Sequence, residues 1–277
     1  MTEEQIIQQA LAEDIGEGDI TTQAIVPSYC KDGQARIAAK QDLCLAGVDI
    51  ARKVFVLLDP HVSYVPKFND GDLVKSGQVI AEISGPVSAI LSGERTALNF
   101  LQHLSGIATL THRYAELLKP YHTRIKDTRK TTPGLRLLEK YAVRCGGGVN
   151  HRLGLYDGIL IKNNHAAIAG GIIPAVELMR NYLANQELIH MPIEVEAHSL
   201  SQVKEALSSK VGVILLDNLP LPELSQAVKI IGKQATTEVS GNVSLDNIVQ
   251  IAQLGVDFIS VGAITHSAPA ADIHLRL

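Results

Sequence analysis

What the chain lacks narrows its chemistry first. Its three cysteines, Cys30, Cys44 and Cys145, are odd in number and form no CxxC pair. Neither a disulfide framework nor a zinc site is therefore expected, and the thiols read as reduced. No basic leader precedes an apolar segment: the chain opens MTEEQIIQQA, acidic where a secretory signal would be basic, and no apolar run reaches membrane-spanning length. The expectation is a cytoplasmic protein with no membrane partner. An excess of positive charge is missing as well. The 25 Lys+Arg and 29 Asp+Glu give a formal net charge of −4, which argues against a nucleic-acid partner. There is no P-loop or GxGxxG spacing, and Gly146–Gly148 read as a helix stop. Any anion chemistry must come from local clusters.

What is present suits a globular α/β protein. At 277 residues, 46% hydrophobic and 19% charged, the chain fits one large domain plus one small. Thr2 to Ala12 reads as an amphipathic helix, with Thr2 and Gln5 spaced as a capping box and Gly16 beyond its end. QARIAAKQDLCLAG, HVSYVPKF and NDGDLVKSGQVIAEISGP read as strands, the last with hairpin turns at Asp-Gly and Ser-Gly, and DIARKVFVLL as a helix between them. Ser92 opens a long helical pattern ending at Pro120, with a break plausible at Gly106. A boundary there gives an N-terminal α/β sandwich domain, residues 1–107, and a β/α barrel domain, residues 108–277. The tail, roughly residues 267–277, is expected to pack back on the first domain.

From Thr123 onward short apolar runs alternate with helical segments, the rhythm of βα units on a parallel sheet. The strand candidates are TRIKDTRK, DGILIKNN, PIEVEA, GVILLDN, TTEVSG and DFISVG. Thr132 with Pro133 is expected to start the helix that Gly146 ends, and Ser244 to cap SLDNIVQIAQLG. These strands finish on Arg129-Lys130, Lys162, Glu196, Asp217, Ser240-Gly241 and Val261-Gly262. In a β/α barrel the carboxyl ends of the strands share one face, where active sites assemble.

The residues gathered there form two sets. Arg129, Lys130, His151, Arg152 and Lys162, with Arg95 from the long helix, suit a small, multiply anionic ligand, because guanidinium forks match carboxylate and phosphate oxygens in pairs. Glu196 and Asp217, beside a polyphosphate, suit a magnesium ion held largely through water and phosphate oxygens. The Ser240-Gly241 and Gly262-Ala263 turns could offer backbone N–H groups to a monophosphate at a helix N-terminus. Each member also has an ordinary alternative. Lys162 could be a solvated strand end or a Schiff-base lysine, His151 a satisfied loop histidine, and the two acids structural partners of Arg129 and Lys162. NDGDLVKSGQVIAEISG also has a spacing similar to a lipoyl- or biotinyl-type carrier domain, but it offers Lys75 in a strand-turn position rather than on the tight hairpin tip a carrier needs.

At these residues the chain resembles a known family. KDTRKTTPGLRLLEKYAVRCGGGVNHRLGLYDGILIKNNH is similar to the signature block of the quinolinate phosphoribosyltransferases (nicotinate-nucleotide pyrophosphorylases, carboxylating). LAEDIGEGDITT, GERTALNFLQHLSGIAT, IEVEAHSL, ILLDN, EVSGNVSLDNI and SVGAITHSAPAADI extend the likeness over most of the chain. The resemblance implies an α/β sandwich followed by an incomplete barrel of about seven strands. It also implies a decarboxylating transfer of phosphoribosyl from phosphoribosyl pyrophosphate to quinolinate, giving nicotinic acid mononucleotide. Thr128, Arg129, His151, Arg152 and Lys162 would then bind the quinolinate carboxylates, and Lys130 would bridge substrate and phosphosugar. Arg95 would act across the interface of a homodimer or higher homo-oligomer. Glu196 and Asp217 would serve the ribose hydroxyls and magnesium-bound pyrophosphate. Ser240, Gly241, Asn242, Val261, Gly262 and Ala263, with His266 nearby, would hold the 5-phosphate. Asn242 stands where the family commonly has a second glycine; Asn tolerates left-handed backbone angles, so the turn is expected to survive. A paralogous pyrophosphorylase-like group associated with molybdenum transport shares the RTALN helix but lacks the lysine that ends DGILIK. Lys162 and the intact TRKTTPGLR block favour the enzyme.

Overall fold

The computed structural model describes residues 2–27, 32–186 and 190–277; Cys30 lies outside the described residues. Packing divides the chain into two compact units. One comprises Met1–His112, Lys130–Gly148 and Ala263–Leu277, the other Arg113–Arg129 and Val149–Gly262. The chain crosses between these compact units several times.

The first unit begins with helix Glu3–Ile15, started by the expected capping box: Thr2 Oγ1 accepts the Gln5 N–H, and Gln5 Oε1 accepts the Thr2 N–H at 2.8 Å. Gly16, at φ +55°, ends it. Then come β1 (Asp32–Ala39), β2 (Leu43–Cys44), helix Val48–Leu58, β3 (Ser63–Pro66), β4 (Leu73–Val74) and β5 (Val79–Pro86). Period-two alternation buries Ala35, Ile37 and Ala39 on one face of β1. Ile37 joins Phe55, Ile80 and Ile83 in the core. One expectation fails here. The hairpins expected at the Asp-Gly and Ser-Gly turns do not form, because β4 pairs with β2, and β5 with β1 and β3. The Lys75 ammonium bonds Asp42 at 2.8 Å.

The long helix starts earlier than expected, at Val87 straight after Pro86, and runs unbroken to Leu118. Gly106 is there for packing. A Cβ at that position would stand 2.2 Å from the Pro269 carbonyl oxygen, so the missing side chain admits the returning C-terminal segment. The next helix, Arg136–Cys145, is not capped by Thr132. Gly134 takes φ +84°, outside helical space, and the Leu135 N–H closes a turn on the Thr132 carbonyl at 3.1 Å before the helix begins. Gly146 ends it as expected. Cys44 and Cys145 are free, and burial pushes their thiols up to about 12 and about 11, which favours the protonated form at neutral pH.

The second unit is built on β6 (Arg124–Lys126), β7 (Ile159–Ile161), β8 (Ile193–Ala197), β9 (Val213–Asp217), β10 (Thr236–Ser240) and β11 (Phe258–Ser260). All pair in parallel, in the order β6-β11-β10-β9-β8-β7, with helices between most of them along the chain. The last strand lies beside the first, which is the closure of a barrel; the gap falls between β6 and β7. Val149 forms a parallel bridge to Lys126 on the gap side of β6. The result is an incomplete β/α barrel. Register splits the sheet faces cleanly. Ile125, Ile259, Val239 and Leu216 align in one buried apolar row, while Lys126, Ser260, Ser240 and Asp217 align in a polar row one residue on, hence on the opposite face. Ser244 does not start a helix directly: its carbonyl accepts from Asn247 and Ile248 across a turn, and the helix runs Ile248–Ala252.

The chain ends in β12 (Ile273–Arg276), antiparallel to β1, giving the first unit a sheet ordered β12-β1-β5-β3. Among the described residues, no helix is long and apolar enough to cross a membrane.

Candidate active site

The polar row leads to the carboxyl ends of the strands, where most of the expected residues stand. Arg129 lies three residues past β6, half-buried, and Lys162 directly follows β7, exposed. Arg152 is held by its own Nη1–H donating to the Gly158 carbonyl at 2.9 Å. Burial, and then the neighbouring Arg129 charge, keep the Arg152 guanidinium below its ordinary pKa. Two guanidinium groups close enough to disfavour one another are a costly arrangement that an anion between them would relieve.

On the neighbouring strands β8 and β9, Glu196 and Asp217 approach each other around His198. Glu196 Oε1 is 2.7 Å from His198 Nε2, and His198 Nδ1 is 3.6 Å from Asp217 Oδ2. Asp217 Oδ1 accepts the Ser240 hydroxyl at 2.6 Å, and Oδ2 the Asn218 amide at 2.8 Å. Both acids are thus oriented by neutral groups and an imidazole. One ligand atom from each of Glu196, His198 and Asp217 falls within 4.8 Å of the others, a spacing a divalent ion could bridge.

The adjoining turn is shaped by glycine. Gly241 has φ +91°, and a Cβ there would strike the Asn218 side chain at 2.2 Å. Asn242 adopts φ +52°, the left-handed geometry expected of it, and donates to Asn218 Oδ1 at 3.1 Å. Val261 and Gly262 follow β11, the Val261 N–H donating to the Lys126 carbonyl at 3.0 Å. The helix expected to start at Ser244 begins only at Ile248, so that end of the site is a loop of backbone rather than a helix terminus.

Below this layer lies a second one. Glu238, fully buried, accepts hydrogen bonds from Lys126 and from the Ser260 hydroxyl. His151 Nε2 is 3.1 Å from Glu194 Oε2 and 3.6 Å from Glu238 Oε1, while its Nδ1 accepts the Arg152 N–H at 2.7 Å. The ring therefore rests against two acids. Asp127, also fully buried, fixes the segment that carries it, accepting the His151 N–H at 2.8 Å and the Asn150 amide at 2.5 Å. Sequence reasoning missed Glu194, Glu238, Lys126, Asp127 and His198. A signal existed for two of them: Glu194 and Glu196, like Glu238 and Ser240, are spaced by two, so each pair shares a face.

Thr128, half-buried, directly precedes Arg129 in the second unit, and the remaining expected residues belong to the first. Arg95 is exposed in the third turn of helix Val87–Leu118. Lys130 is exposed, its carbonyl accepting the Thr265 hydroxyl at 2.7 Å. Ala263 and His266 bound a single helical turn, and His266 Nδ1 is 2.6 Å from Ser267 Oγ.

An open β/α barrel with paired arginines and paired acids at its strand ends defines a class: an enzyme for a small polyanionic substrate. The comparisons specify the family. Models of the quinolinate phosphoribosyl transferase N-terminal and C-terminal domains match residues 19–105 and 107–276. The chain belongs to the quinolinate phosphoribosyltransferase family. It is 44% identical over 275 residues to the probable nicotinate-nucleotide pyrophosphorylase [carboxylating] of Synechocystis sp., covering 98% of this chain and 91% of that one. The Bacillus subtilis protein of the same description is also 44% identical, over 271 residues, with the same coverage. The solved nicotinate-nucleotide pyrophosphorylase of Francisella tularensis superimposes with a TM-score of 0.91 at 40% identity, covering 99% of this chain and 95% of that one.

Proposed function

We propose that this chain transfers phosphoribosyl from phosphoribosyl pyrophosphate to quinolinate with loss of carbon dioxide, forming nicotinic acid mononucleotide in NAD biosynthesis. The observation that carries the reading is the family match across both domains, residues 19–105 and 107–276, with Glu196 and Asp217 brought together at the strand ends of the barrel sheet. Thr128, Arg129, His151, Arg152 and Lys162 bind the two carboxylates of quinolinate. Lys130 bridges substrate and phosphosugar. Ser240, Gly241, Asn242, Val261, Gly262, Ala263 and His266 hold the 5-phosphate.

Glu196 and Asp217 fit magnesium in donor type and spacing and would hold it largely through water and pyrophosphate. When bound, the ion would supply charge that offsets the departing pyrophosphate. The protein's own part is electrostatic. As the bond to pyrophosphate lengthens, positive charge grows on the ribose ring, and the two carboxylates stabilise it where it develops. The pyridine nitrogen bonds to the anomeric carbon and becomes quaternary. That positive nitrogen stabilises the electron pair left on the ring when the adjacent carboxylate departs as carbon dioxide, and a proton then occupies the vacated carbon. No organic cofactor is needed. The functional unit is a homodimer or higher homo-oligomer in which Arg95 of one copy serves the other, working in the cytoplasm.

A specificity result follows. Several cations are more than a monocarboxylate can satisfy, so quinolinate should be turned over and nicotinate should not, by a margin of about 10⁴ or more in kcat/KM. Radiolabelled nicotinate and quinolinate, each incubated with phosphoribosyl pyrophosphate and magnesium, test this. Comparable turnover of the two would overturn the assignment of the cation cluster to two carboxylates.

A further inference from the structure

Glu139 is a fully buried carboxylate in helix Arg136–Cys145. An acid in that position is costly unless its oxygens are used, and here both are. Oε1 lies 2.9 Å from His103 Nε2, and Oε2 accepts the Thr132 backbone N–H at 3.1 Å. Thr132 is two residues past Lys130. The stretch between Lys130 and the helix is tied at successive points. The Thr265 hydroxyl donates to the Lys130 carbonyl at 2.7 Å, Arg136 Nε–H donates to Thr131 Oγ1 at 2.9 Å, and the Leu135 N–H closes on the Thr132 carbonyl. Gly134, at φ +84°, makes that turn possible. Outside these ties the Lys130 residue is exposed. A long exposed side chain gains directional precision from a fixed backbone beneath it.

We propose that Glu139, backed by His103, is a positioning residue for Lys130: it clamps the turn after Lys130 so that the ammonium is presented to substrate in one geometry. The proposal rests on the reading that Lys130 contacts substrate and phosphosugar, and it adds that a buried carboxylate in the first turn of the next helix sets that contact. Glu139 touches no substrate. Its effect must pass through Lys130, which separates it from an acid that merely supports the fold.

A double-mutant cycle distinguishes the two. Steady-state kinetics with saturating quinolinate and varied phosphoribosyl pyrophosphate are measured for wild type, Glu139→Ala, Glu139→Gln, Lys130→Ala and the Glu139→Ala/Lys130→Ala pair. Glu139→Ala should lose up to about 100-fold in kcat/KM, the scale of a misplaced contact. Glu139→Gln should recover most of it, since its amide oxygen still accepts the Thr132 N–H and its NH₂ can donate to the His103 ring. The double variant should be no worse than Lys130→Ala alone, because the second change has nothing left to position. If Glu139→Ala keeps wild-type kcat/KM while melting earlier, or if the two losses multiply, the positioning role is wrong. Should Glu139→Ala not fold, His103→Ala takes its place in the cycle, with merging losses supporting the proposal and multiplying or absent losses overturning it. A wild-type protein that forms no product would strike at the functional reading instead.

Discussion

Glu196→Gln and Asp217→Asn should each lower kcat by roughly 10²–10³-fold, the range seen when one group aimed at transition-state charge is neutralised, while quinolinate affinity stays within a few-fold of wild type. The amide replacements keep the size and shape of the acids. Asn at position 217 can still accept the Ser240 hydroxyl that now bonds Oδ1, and Gln at 196 can still meet the His198 ring. What they remove is negative charge, which serves the phosphosugar, its metal and the positive charge growing on the ribose ring, and not the bound quinolinate. A group used in the transition state and idle in the ground-state complex with quinolinate lowers kcat without weakening that complex. Calorimetric titration of quinolinate into each variant, beside turnover assays, separates the roles. A collapse of quinolinate affinity would instead make the two acids part of the framework that holds the Arg129–Arg152 cluster.

Mixing two inactive proteins should restore activity. Arg95→Ala and Lys130→Ala are each expected to be nearly dead, because each removes a cation that faces substrate charge. Arg95 stands exposed on the long helix, where a second copy of the chain could meet it. A two-fold interface supplies each composite site twice, so a heterodimer of the two variants has one site with both lesions and one with neither. With random exchange about half of the dimers are mixed, and half of their sites are intact, giving roughly one quarter of wild-type activity. Native mass spectrometry confirms that exchange occurred. An exchanged mixture as inactive as its parents would show that Arg95 does not act across the interface.

Much of this architecture was legible from side-chain chemistry alone. The six parallel strands announced themselves as short apolar runs that stop at a charged residue or glycine, and Glu196, Asp217 and Ser240 could be placed on strand ends for that reason. The capping box at Thr2 and the left-handed Asn242 were equally readable, since each depends on one residue's local geometry. Where the reading failed, tertiary packing outweighed local preference. Gly106 resembles a helix break until the Pro269 carbonyl is seen to fill its missing side chain. Thr132 resembles an N-cap until Gly134 delays the helix and Glu139 takes the Thr132 N–H. The buried layer of Lys126, Glu194 and Glu238 escaped notice because those residues look like ordinary strand polar positions, and only register places them on one face. The resemblance to the family supplied roles that spacing could not: which cations meet carboxylates and which acids serve the phosphosugar.

The decisive measurement follows carbon. Quinolinate labelled in the carboxylate next to the ring nitrogen is incubated with phosphoribosyl pyrophosphate, magnesium and the purified protein, and labelled carbon dioxide, pyrophosphate and nicotinic acid mononucleotide are each quantified. The three should appear in equal amounts, none without phosphoribosyl pyrophosphate. Release of carbon dioxide without nucleotide, or no release at all while borohydride traps a substrate on Lys162, would contradict the assignment of this site to decarboxylating phosphoribosyl transfer.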